Sequence, residues 1–221
     1  MLTALYKHVL LTACFGMLSA TMATGAPAID FKGLPLGMSL EDFRLLQHPD
    51  GTENTKVICS NDEDMNSYQV FPFKGGEALS AAGVVRCVFG GGHTPDTSSL
   101  GIIPLSIGDS EFVARSYEFR FASPVDDDNR QLYEIVLQTD SGAQRYLADA
   151  LLGRWGTTSR HDIGGVTTVT KTIVHREFYE WTDGQFSVSV DIPWSKADNI
   201  ILTYRDSVTA AIVERRLVAT Q

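Results

Sequence analysis

Apolar residues along this chain recur mostly at every second position and only briefly at every third or fourth, so strands dominate the expected fold. The rhythm is clearest past residue 115. Tyr117, Phe119 and Phe121 alternate with Glu118 and Arg120; after a turn-rich segment, 123–129, Tyr133, Ile135 and Leu137 alternate again, and the two runs predict a hairpin. A strand is expected from about Val166 to Trp181, turning at Asp183-Gly184, a pair that tolerates the positive φ of a tight hairpin turn. The return strand puts Phe186, Val188, Val190 and Ile192 on one face and Ser187, Ser189 and Asp191 on the other, which leaves one face wet. Residues 200–204 add another strand. In the first half, the runs 56–59, 68–73 and 84–89 are also strand-like, separated by Asn61-Asp62-Glu63-Asp64 and by Gly75-Gly76, and the glycine-rich stretch 90–99 reads as a loop.

Helical spacing is confined to short stretches. Ser39 can cap a helix, Asp42 completes a box-like arrangement, Met38 and Phe43 take the staple positions, and Leu40, Phe43 and Leu46 form a stripe before Pro49. A second helix is capped at Asp140 or Ser141, carries Ala143, Leu147, Ala150 and Leu151 on one face, and can end at Gly153 or Gly156. In the terminal segment 207–217, Val208, Ala211 and Ile212 fit a helix. The pattern therefore predicts an α+β fold, mostly antiparallel sheet with two or three short helices packed on one face. A single domain over 24–221 accounts for the length, and a capped helix followed by strands occurs twice, so the same stretch can also be read as an internal duplication, about 27–108 and 109–221.

The first 23 residues change the picture of where this domain works. Lys7 and His8 precede an apolar run, 9–20, and then small residues, the layout of a secretory signal peptide cut near Ala23. Leu11-Thr12-Ala13-Cys14 also fits a loose lipobox, the rival reading being a lipid anchor on Cys14. The expected location is periplasmic or secreted. Removal of the leader leaves two cysteines, Cys59 and Cys87, whose number and compartment predict a disulfide.

The formal charge of −9 sets the electrostatics: phosphate backbones and anionic lipid surfaces are repelled, so neither nucleic acid binding nor membrane insertion of the mature chain is expected. No catalytic, cofactor-binding or metal-ligating residue is assigned. His48, His93, His161 and His175 lack metal-pair spacing. Asp62, Asp64 and Asn66 begin like a calcium loop, but Ser67 stands where glycine is needed and Phe73 where the last glutamate is needed. Asp126-Asp127-Asp128-Asn129 reads as a solvated hairpin tip. Trp155, Trp181 and Trp194 with Tyr179 fit core packing or a binding surface.

Two stretches carry a resemblance. Gly33-Leu34-Pro35-Leu36-Gly37-Met38-Ser39-Leu40-Glu41-Asp42-Phe43 resembles the helix entry of small bacterial envelope proteins such as the BamE (SmpA/OmlA) group, and residues 147–156, ending Arg154-Trp155-Gly156, resemble their helix end. The resemblance implies helix-plus-antiparallel-sheet units used for protein contacts, as in outer-membrane assembly factors and β-lactamase inhibitor proteins; no binding residues transfer with it. The expected function is a non-catalytic, protein-binding module of the periplasm, an envelope accessory factor or an inhibitor or immunity-type protein, whose partner and oligomeric state the sequence leaves open. The alternative is a hydrolase directed at cell-wall or polysaccharide material, which requires a concave site with a raised-pKa carboxylate.

Overall fold

The alternating stretches pair into one antiparallel sheet. The computed structural model describes residues 29–63, 73, 76–91, 101–107, 113–114, 116–125, 128–167, 173–194 and 199–220; the expected signal segment, the run 64–72, His93 and Asp126-Asp127 lie outside them. In chain order the elements are β1 (Asp30–Phe31), β2 (Leu34–Pro35), α1 (Leu40–Arg44), β3 (Thr55–Cys59), α2 (Glu77–Ala81), β4 (Val85–Gly91), β5 (Gly101–Ile102), β6 (Leu105–Ser106), β7 (Val113–Ala114), β8 (Ser116–Ala122), β9 (Gln131–Thr139), α3 (Gln144–Trp155), β10 (Arg160–Thr167), β11 (Ile173–Asp183), β12 (Phe186–Pro193), β13 (Ile200–Asp206) and α4 (Ser207–Ala219). The large sheet runs β10-β11-β12-β13-β9-β8-β4-β3, with β5 also on β4, and β1–β2 and β6–β7 are separate two-stranded ribbons. The chain is thus α+β, with four helices among the described residues and no closed barrel. None of these helices is long and apolar enough to cross a membrane.

Period-two patterning builds the core. Tyr117, Phe119 and Phe121 of β8 lie opposite Leu137, Ile135 and Leu132 of β9, and all six are buried. The capped helix entry holds as read: Ser39 Oγ accepts from the Asp42 amide at 3.0 Å and donates to its carboxylate at 2.7 Å. That cap delivers Phe43, which has no solvent exposure, between Phe89, Phe119 and Phe121 at centroid distances of 5.5, 4.7 and 5.0 Å. Farther along the sheet, α3 buries Leu147 and Leu151 on the same face, together with Ala143 just before it. Gly156, with φ of 74°, closes this helix, and Gly153, the other candidate, stays within it.

The helices divide between the two faces rather than sharing one, and there are four where two or three were expected. Ala122 follows Phe121 and so points to the opposite face; it packs with Val84, Tyr133 and the α4 residues Ala210 and Val213 in a smaller second cluster, beside Leu79 of α2. Helix α2 has no side-chain cap and no buried residue, which is why no periodicity announced it. In α4 the buried stripe is Thr209, Ala210 and Val213, while Val208 is 52% exposed. Asp206 caps this helix through the Val208 and Thr209 amides and sets that rotation.

The strand expected from Val166 to Trp181 is two strands. β10 and β11 pair antiparallel from Arg160↔Glu180 to Thr167↔Ile173. Residues 160–165 are exposed on both faces, so no apolar alternation marked β10 in the sequence. The turn after β11 is Gly184-Gln185 with positive φ, 59°, at its first residue, a type II′ hairpin. Strands from both stretches read as repeats, 27–108 and 109–221, join in the one sheet at β4–β8.

Cys59 and Cys87 sit directly opposite each other on β3 and β4, Cα atoms 4.1 Å apart and sulfurs at bonding distance. On the face opposite Phe43, an ion-pair ladder crosses four strands and reaches α4. It runs Arg86–Glu118 (3.4 Å), Glu118–Arg120 (2.9 Å), Arg120–Glu134 (2.6 Å), Glu134–Arg205 (2.9 Å) and Arg205–Glu214 (3.1 Å). Arg86 and Arg120 are cross-strand partners of like charge, and Glu118 bridges them from two residues away.

Candidate functional site

Cover by α3 stops at one row of the sheet. Trp181 of β11 is 3% exposed, its ring 6.0 Å from Trp155 of α3 and its Nε1 donating to the Gly156 carbonyl at 3.0 Å. The next side chains on that face lose the cover. Tyr179 stacks on His161 of β10, ring centroids 4.3 Å apart and planes within 10°, and both reach the Glu177 carboxylate: the tyrosine hydroxyl donates to Oε1 at 2.5 Å, and His161 Nε2 lies 2.9 Å from the same oxygen. Burial, then the hydrogen bond to Glu177, push the Tyr179 hydroxyl up to about 12, so it stays a donor at neutral pH. Ile163, opposite Glu177, is 62% exposed. Beyond it His175 packs against Trp194, 54% exposed, at 5.2 Å. Alternate residues of β11 past Trp181, namely Tyr179, Glu177 and His175, therefore carry an aromatic, a carboxylate and an imidazole group onto one face, the first two half-buried and the last exposed. β10 is the outermost strand there, and half of its backbone polar groups face away from β11.

Rings connect this face to a cavity of about 300 Å³ under α3. From Trp181 the contacts continue to Trp155, to Tyr204 of β13 at 6.0 Å, and to Phe31 of β1 at 5.6 Å. Leu147, Leu151 and Leu202 line the buried part of the cavity, and Ala150, Lys32 and Arg154 border its opening. Arg154 pairs with Asp30 at 2.9 Å and lies over the Trp155 ring. Lys32 bonds the Asp50 carboxylate at 2.5 Å and Ser106 Oγ at 2.7 Å. It occupies a left-handed turn, φ 52°, beside Gly33 at 77°. Burial raises the Tyr204 hydroxyl well above its ordinary value.

The tryptophans thus split: Trp181 and Trp155 pack, and Trp194 is surface. His48 is a core residue against Phe89, while the pairing of His161 with Glu177 is a cross-strand contact that no linear spacing announces. Asp62 accepts from the Cys59 amide at 2.8 Å and pairs with Arg44 at 2.7 Å, so it serves the turn after β3. Burial raises the Asp191 carboxyl, opposed by Arg176 at 2.9 Å, but it belongs to β12 on the sheet face opposite Tyr179. Among the described residues, no carboxylate lines the cavity under α3 or a second one of about 400 Å³ between α2 and α4. Among the described residues, no three His, Cys, Asp or Glu side chains gather as metal ligands. Comparison with family models, curated proteins and solved structures found no match.

Proposed function

We propose that this protein is a non-catalytic binding module of the bacterial periplasm that holds a protein partner against the uncovered β10–β11 end of its sheet. One observation carries the reading: the exposed Ile163, His161 and Trp194 stand on one face beside the half-buried Tyr179, at the strand whose outer edge is free among the described residues. Aromatic and aliphatic anchors ringed by polar groups are the chemistry of interface hot spots. A free edge offers a partner's extended segment a backbone template. The formal charge of −9 favours a partner whose contacting surface is cationic. The Cys59–Cys87 pair and the leader-like start of the sequence support an oxidising, extracytoplasmic setting. A hydrolytic role has less support, because among the described residues Asp191, the carboxyl whose pKa ends up raised, lines neither cavity.

The test is site-specific photo-crosslinking in the exported protein, with a benzophenone amino acid at Ile163 or Trp194 and a control at Thr182. The two patch positions should give the same discrete adduct and the control none. The captured protein, identified and purified, should bind the Ile163→Arg variant at least about tenfold more weakly, the loss of one buried anchor. Adducts absent from both patch positions, or an affinity untouched by Ile163→Arg, would overturn the proposal.

A further inference from the structure

The cavity under α3 is separate from the uncovered sheet face, and its chemistry points to a different kind of ligand. Its inner surface is Leu147, Leu151 and Leu202, each no more than 6% exposed, with Trp155 and Tyr204 as aromatic walls. At about 300 Å³ it sits at the small end of the range for small-molecule pockets, which is about 300–1,000 Å³. That volume has room for one short acyl chain or one ring system, and not for a lipid with two chains.

The rim differs from the interior. Arg154 uses one N–H on Asp30, from Nη2 at 2.9 Å; its side chain is 44% exposed, and its guanidinium has four further N–H donors. Trp155 beneath it holds the group in place. Lys32 at the same rim is held by Asp50 and Ser106, and the left-handed backbone that carries it is a conformation non-glycine residues rarely adopt. An apolar interior whose rim carries two ion-paired cations, one of them with donors to spare, has room and a partner for an amphiphile with a single negative charge.

We infer that this cavity binds a small amphipathic anion, a medium-chain carboxylate or its aromatic equivalent, with the apolar body between α3 and β13 and the carboxylate on Arg154. The inference is independent of the protein-binding proposal, since it uses no residue of β10 or β11.

The test is calorimetry on the full chain with sodium decanoate below its micellar concentration and decan-1-ol as the uncharged comparison. Decanoate should bind one to one, and decanol about tenfold more weakly, the worth of one charge-assisted hydrogen bond. Arg154→Ala should reduce decanoate to the affinity of decanol. Ala150→Trp, placed at an exposed helix position that borders the opening, should abolish binding of both while the far-ultraviolet circular dichroism and the unfolding midpoint stay near wild type. Equal affinity for the two ligands, no decanoate binding, or undiminished binding to Ala150→Trp would overturn the inference. Co-flotation with phosphatidylglycerol vesicles without binding of free decanoate would also overturn it, by showing a lipid-surface contact instead of a site for a free amphiphile.

Discussion

His48 is 3% exposed, stacked edge-on against Phe89, and its Nδ1 accepts the Asp50 amide at 3.2 Å. Burial lowers its pKa below the ordinary value, so the unfolded chain binds the proton more tightly than the folded one. The stability it contributes is complete above about 6.5 and is lost as pH falls through the lower folded value. Asp50 is held below the usual carboxylate range: burial pushes it up, but the bonds from Lys32 and Ser106 outweigh that, so its contribution is complete above about 4 and is lost in stronger acid. Urea unfolding should therefore weaken in two stages on acidification. His48→Leu should remove much of the first stage and leave the second; a wild-type midpoint constant from pH 7 to 5 would contradict this account. At this scale the sequence was legible where one residue carries its own geometry, as with the Ser39 cap, and silent where partners are brought together across strands, as with His161 and Glu177.

Elements were legible in proportion to the difference between their two sides. β8, β9 and β12 have one apolar and one polar face and were read directly, whereas β10 is exposed on both and was merged into its neighbour. Phe43→Ala should cost about 3–5 kcal/mol and Leu151→Ala about 2–5 kcal/mol, read from denaturant midpoints. The first should be at least as severe, because Phe43 contacts three rings while Leu151 borders a cavity that already relieves packing. In the ion-pair ladder, Glu134 is 5% exposed and joins Arg120 to Arg205. Glu134→Gln should cost about 3 kcal/mol, the low end for breaking a buried pair, because the Arg205 side chain is 41% exposed and keeps part of its hydration. The loss should shrink little in 1 M salt, since screening acts on exposed charges; a cost that vanishes with salt would show the ladder to be solvated.

For the molecule as a whole, the α+β class followed from the patterning, but the order of strands did not, since an apolar face is indifferent to which neighbour extends it. β13 pairs with β9 across some sixty residues of sequence that supply α3 and three other strands. The disulfide was legible because two cysteines remain after the leader-like segment is set aside, an even number that favours pairing. Replacing Cys59 and Cys87 with serine should lower stability by about 2–5 kcal/mol, and alkylation of the unfolded, unreduced protein should find no free thiol at either. Intact mass of the exported chain should match a start near residue 24, with no diacylglyceryl group on Cys14. The position of β13 reaches further still. It lies between β12 and β9, and synthesis delivers it only after residue 200. A nascent chain thus holds two unjoined pieces, β10–β12 and the group around β8 and β9, with no strand between them. Until β13 is in place the ladder has a gap at its middle, and only its insertion makes one continuous hydrogen-bonded sheet of the two pieces.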